Sequence, residues 1–155
     1  MGEKGNDTGD FYLYICSTDG GDLFRENQAH SFHCIIEDAI NLKGKWEVAV
    51  TEYYYYSNER SARINSIPRP LYLLANFVKN SFTPVSNGPV LKRLYISEGT
   101  IHGSSINNPI YVPEYHDVSV TSLNLIKVYI VDTEFRRLQL PDGVLAVTLH
   151  FRQKQ

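Results

Sequence analysis

Apolar residues recur at every second position along most of this chain. Phe11, Leu13 and Ile15 fall on one side of an extended strand, and Tyr12, Tyr14 and Cys16 on the other. Phe32, Cys34 and Ile36 repeat the pattern, as do Trp46, Val48 and Val50. The clearest alternation comes last. Leu145, Val147, Leu149 and Phe151 face one way, and Thr148, His150 and Arg152 the other. The stretch 71–78, "LYLLANFV", is apolar nearly throughout, as a strand covered on both faces would be. Runs at 90–96, 109–113 and 123–131 complete the set, and β-branched and aromatic residues dominate them. No helical period extends over any length. Residues 21–30, "GDLFRENQAH", have room for one turn capped by Asp22. The alternation predicts a core containing Phe11, Phe32, Trp46, Val48, Leu145, Val147, Leu149 and Phe151.

Turn chemistry separates the strands. Asp19-Gly20-Gly21, Ser57-Asn58, Asn87-Gly88 and Asp142-Gly143 supply residues that tolerate positive φ. Prolines at 68, 70, 84, 89, 109, 113 and 141 flank the runs, where no ladder donor is needed. The connections 17–30, 57–70, 97–108 and 132–142 are long and uneven. They suit crossings between two sheets better than a meander of tight hairpins. The predicted fold is all-β: a single jelly-roll β-sandwich of about eight antiparallel strands over residues 11–155. A polar arm, residues 1–10, precedes it.

Composition narrows the function. The chain has 155 residues, with 15 basic and 17 acidic side chains and a net charge of −2. That balance gives no bulk attraction to nucleic acid or to an anionic membrane, and neither is expected as a partner. No apolar run reaches the ~20 residues of a membrane helix, and the polar N-terminus does not read as a secretory signal. Cys16 and Cys34 lack metal or redox spacing and read as two buried thiols of a reduced protein rather than a disulfide.

Candidate chemistry is sparse. His30, His33 and Glu37 invite comparison with the metal site of jelly-roll enzymes, but that site needs histidines two apart on a strand, and these are three apart. Asp132, Glu134 and Asp142 read as a solvated turn. No nucleophile elbow, phosphate loop or carboxylate pair is present. Neither enzymatic activity nor a cofactor is expected. The basic doublets Lys92-Arg93 and Arg136-Arg137 read as surface charge or as a contact with an acidic partner. His150, flanked by Thr148 and Arg152, reads as a surface or interface residue.

The run Tyr53, Tyr54, Tyr55 and Tyr56 asks for more cover than one sandwich core supplies. Strict alternation puts Tyr54 and Tyr56 on the face of Trp46, Val48 and Val50, and Tyr53 and Tyr55 on the face of Glu47 and Ala49. One pair caps the core. The other calls for a loop, a neighbouring subunit or, lacking a basic groove, least of all a stack of bases. The candidate subunit-contact residues are therefore Tyr53, Tyr54, Tyr55, Tyr56, Arg136, Arg137, His150 and Arg152.

Several segments share an order with one known family. Asn27, Ser31, Phe32, Ile36, Ile40, Leu42, Gly44, Trp46, Glu47, Val48 and Glu52 fit its N-terminal strands. "LYLLANFV" followed by "GPVLKRL" fits its middle strand pair, "NPIYVPE" its approach to the next strand, and Leu149, His150, Phe151 and Arg152 its C-terminus. On these residues the chain resembles the single-jelly-roll capsid proteins of Polinton/Maverick elements and adintovirus-like DNA viruses, over nearly its whole length. The connection 57–71 is shorter than that family's. The resemblance implies a penton (vertex) or minor capsid subunit in a virion assembled inside the host cell. It implies a homo-oligomer, a pentamer, in contact with a major capsid protein. The rival from the residues alone is a jelly-roll module that binds a glycan or protein through its loops, with Asn58, Asn107, Asn108 and Tyr111 as candidates.

Overall fold

A computed structural model describes residues 9–57, 70–94, 105–109, 112–140 and 142–154, with the backbone alone for Ser57 and 105–109. The predicted arm lies outside the described residues except at its end, where Asp10 already opens the first strand. The order is β1 (Asp10–Cys16), β2 (Ser31–Asn41), β3 (Trp46–Ser57), β4 (Leu71–Ala75), β5 (Ser81–Phe82), β6 (Asn87–Gly88), β7 (Val90–Leu94), β8 (Ser105–Pro109), β9 (His116–Asp117), β10 (Ser122–Val131) and β11 (Gly143–Gln153). No helix occurs among the described residues. Residues 17–26 form successive turns in which the Phe24 amide donates to the Gly20 carbonyl at 3.3 Å, so the expected helical turn does not propagate.

Two antiparallel sheets face each other. The first runs β1-β11-β3-β8, with β9 also on β3; the second runs β2-β10-β4-β7. β5 and β6 form a small hairpin before β7. Of the strand expected at 109–113, Pro109 ends β8, residues 110 and 111 lie outside the described residues, and 112–113 are not in a strand; β8 and the short β9 both pair with β3. β4 stops at Ala75, where Asn76 and Phe77 turn the chain. Pairing is nested: β1 joins β11, β2 joins β10, β3 joins β8 and β4 joins β7.

The core fills the space between the sheets. Phe32, Leu73, Val128 and Ile130 of the second sheet meet Val48, Val50, Tyr55, Val147, Leu149 and Phe151 of the first, all buried. Phe151 stacks on Phe11 at 4.9 Å between centroids. Every predicted core residue is buried except Phe11, which lies on an edge strand and is half-buried. Trp46 closes one end, donating its indole N–H to the Lys43 carbonyl at 2.8 Å. That satisfies the one polar atom a buried tryptophan carries.

Candidate functional site

The tyrosine strand end obeys a rule that strict alternation misses. β3 and β11 pair Val50 with Leu149 and Glu52 with Thr148, so Thr51 has no partner and forms a bulge. One extra residue flips the faces. Beyond it Tyr53 and Tyr55 join the face of Trp46, Val48 and Val50, and they are 5 % and 1 % exposed. Tyr54 and Tyr56 turn outward, half-buried. The predicted faces are thus exchanged, and Tyr53 and Tyr55 are core residues of one chain rather than contacts between chains. The flag in the sequence was Glu52. Uninterrupted alternation would have placed its carboxylate in the core, at a prohibitive desolvation cost.

The other candidates engage partners within the chain. On the outer face of the first sheet His150 is nearly covered. Its Nδ1 lies 2.8 Å from the Tyr115 hydroxyl and its Nε2 lies 3.2 Å from Asp10 Oδ2. Tyr12 packs on its ring at 4.7 Å. Arg152 donates from Nε to Glu47 Oε2 at 2.6 Å and lays its guanidinium 3.5 Å from the Tyr115 ring centroid. The hydrogen bond to Glu47 raises the arginine's pKa above its ordinary value. The chain Asp10–His150–Tyr115 has the outline of a proton relay, but its two ends tie β1 and the segment before β9 to β11. It fastens two strands and one connecting segment.

On the outer face of the second sheet the loop after β10 folds back. Asp132, read from the sequence as part of a solvated turn, is 6 % exposed. Its Oδ1 accepts the amides of Glu134 at 2.9 Å and Arg136 at 3.0 Å, and its Oδ2 accepts Arg136 Nε at 3.0 Å. Burial pushes its pKa up, but the amides of Arg136 and Glu134 and the guanidinium outweigh that, and the carboxyl titrates below its ordinary 3.8. Arg136 also meets Glu134 at 2.5 Å, and Arg137 lies 4.1 Å from the Tyr129 ring centroid. The loop seats Phe135 beside Tyr72, Leu74, Val90 and Val131, an apolar cluster separate from the main core.

Two concavities stand out among the described residues. Along β11 the outward residues Ala146 and Thr148 are small, while their neighbours Cys16 and Tyr14 on β1 and Tyr54 and Glu52 on β3 are larger. This leaves a trough of about 330 Å3. The second, about 550 Å3, opens between β7, the β5–β6 hairpin and the segment before β9. Lys92, Arg93, Phe82, Val112, Glu114 and His116 line it. His116 Nε2 is buried without a hydrogen-bond partner, although Glu114 Oε1 stands 3.4 Å away.

The histidines singled out for a metal do not converge. His30 sits in a turn and accepts the Leu140 amide on Nδ1 at 3.1 Å; burial, and then the Arg137 charge, hold its pKa below 6.5. His33 stacks on Phe24 at 5.3 Å while Asn27 hydrogen-bonds its backbone. Among the described residues no three His, Cys, Asp or Glu side chains gather as metal ligands. Both thiols are free. Cys34 is buried, and burial, reinforced by Asp19 and Cys16, pushes it up to about 11; Cys16 is only half-buried, against expectation. Asn58 and Tyr111 fall outside the described residues, as do the side chains of Asn107 and Asn108. No known family model matches the chain, and no curated protein matches it in sequence.

Proposed function

We propose that the protein is a structural capsid subunit, of the penton or minor type, that associates with copies of itself and with a major capsid protein. The observation that carries this reading is the nested pairing of β1 with β11, β2 with β10, β3 with β8 and β4 with β7. A long hairpin folded over on itself pairs in that order, and this supports reading the sandwich as a jelly roll, an architecture that recurs in viral shells and in lectins. The resemblance in sequence order selects the shell among these. The number five rests on the resemblance alone.

The test is the mass of the purified protein by light scattering across a concentration series, with electron microscopy of the most concentrated sample. The expected result is a closed homo-oligomer, a pentamer, whose population rises with concentration. A monomer at every concentration that binds a defined sugar on a glycan array would overturn this reading in favour of a loop-binding module. Tyr53 and Tyr55 are unsuitable probes of assembly, because truncating them opens the core.

A further inference from the structure

The sheet edges are where one copy would meet the next, since the loop after β10 covers the outer face of the second sheet and the polar groups around His150 and Arg152 on the first are paired within the chain. β2 and β7 are the two ends of the second sheet, and they differ in charge. β2 carries Glu37 and Asp38, both exposed, and no lysine or arginine. Beside them Ile35 and its cross-strand partner Leu125 are each 47 % exposed, an apolar pair on the surface. The opposite edge carries Lys92 and Arg93 on β7. Phe82 and Val112, 84 % and 86 % exposed, line the cleft of about 550 Å3 that those two cations share. The buried Nε2 of His116, without a hydrogen-bond partner, lies in the same wall.

We propose that these two edges are the two halves of one contact, and that the occupant of the cleft beside β7 is the β2 edge of a second copy of this chain. The inference rests on the assembly reading above and deepens it. The β2 edge sets its exposed apolar side chains beside two carboxylates, and the β7 edge sets its own beside Lys92 and Arg93, with Glu114 of the cleft standing 3.4 Å from His116, so the two edges are complementary to each other and each opposes its own copy. Like charge set against like charge opposes a two-fold contact of either edge with its own copy. A contact between different patches is heterologous, and repeating it with a rotation that closes gives a ring. Apolar residues at the centre supply the burial, and the flanking charges set partner and register.

The experiment uses the full chain and reverses each edge. One variant carries Glu37→Lys with Asp38→Lys, a second Lys92→Glu with Arg93→Glu, and a third all four substitutions. Thermal melts first establish that each folds, and light scattering at low and high salt then measures association. Either single-edge reversal is expected to weaken self-association more than about tenfold. The fourfold variant is expected to restore it, because its edges are again complementary. The two single-edge variants, mixed, are expected to associate with each other though neither associates alone. If the wild type assembles but folded single-edge variants assemble equally well, or the folded fourfold variant is not restored, this contact is wrong and the assembly reading stands. A wild type that stays monomeric at every concentration overturns both.

Discussion

The outer faces of the two sheets show two ways of finishing a sandwich. On the first sheet the outward side chains around His150 and Arg152 are polar or aromatic and satisfy one another. His150 joins Asp10 to Tyr115, and Arg152 joins Glu47 and lies over Tyr115. Such a face can remain against water. The second sheet has outward Leu74, Val90 and Val131, which water would not tolerate as a continuous patch. The chain covers them with its own loop, and that loop holds its shape through one buried carboxylate. The first face is fastened at many weak points; the second depends on one.

That difference predicts unequal sensitivity. Asp132→Ala removes three hydrogen bonds and leaves the Glu134 and Arg136 amides without their acceptor. The expected cost is about 2–4 kcal/mol, read as a shift in the denaturation midpoint. A loss under about 0.5 kcal/mol would show that Asp132 does not organise the loop.

Next in size is the plug itself. Phe135 has φ 62°, a left-handed conformation that suits glycine and strains an aromatic residue. Its ring lies so close to Gly88 that a β-carbon there would stand 2.8 Å from it. Phe135→Ala discards the ring and keeps the strain; Phe135→Gly discards both. Both are expected to destabilise, alanine by about 2–3 kcal/mol and glycine by less. The usual order, with glycine worse, would mean that the strain is not borne at this position. Fluorescence-monitored urea unfolding measures both.

Much of this architecture was legible in the sequence. β1, β2, β3, β10 and β11 follow the alternation, because a half-buried strand writes its two faces into every second residue. What the pattern hid was set by pairing or by loops. The bulge at Thr51 depends on how β11 lies beside β3, and it exchanged the faces of four tyrosines. Asp132 looks like any turn aspartate until the amides of its own loop fold over it. The opposed charge of β2 and β7 is invisible in a net charge of −2, because only the strand order puts Glu37 and Lys92 at opposite edges. The predicted interface residues Arg136, Arg137, His150 and Arg152 were polar groups whose partners lay far along the chain or in a loop.

On the first face a single change should cost little. His150→Gln keeps hydrogen-bonding capacity at both ends and is expected to lower stability by less than about 1 kcal/mol. Removing the two fastenings together, with Arg152→Ala, should reach more than the sum of the single changes, because both side chains hold Tyr115. A double-mutant cycle on urea midpoints measures that coupling. Strict additivity would show that the face is a set of independent pairs.

The smallest expected effect is a dependence on pH from His30, where the loop from the second face returns toward β11. Its Nδ1 accepts the Leu140 amide, which requires the neutral ring, and burial with the nearby Arg137 holds the folded-state pKa below the ordinary 6.5. Unfolding therefore takes up a proton in the range just below 6.5. The stabilisation is whole above that pH and is lost as pH falls through the folded-state value. Melting temperature should accordingly decline on acidification below 6.5, before the carboxylates begin to titrate. Asp132, depressed below 3.8, adds its own loss only in that lower range. Substituting His30→Gln, which titrates nowhere in this window, should flatten the upper part of the profile and leave the lower part in place. Melts of both proteins at half-unit steps from pH 7.5 to 3 would separate the two. An upper limb that survives the substitution assigns it to another group and removes His30 from the account.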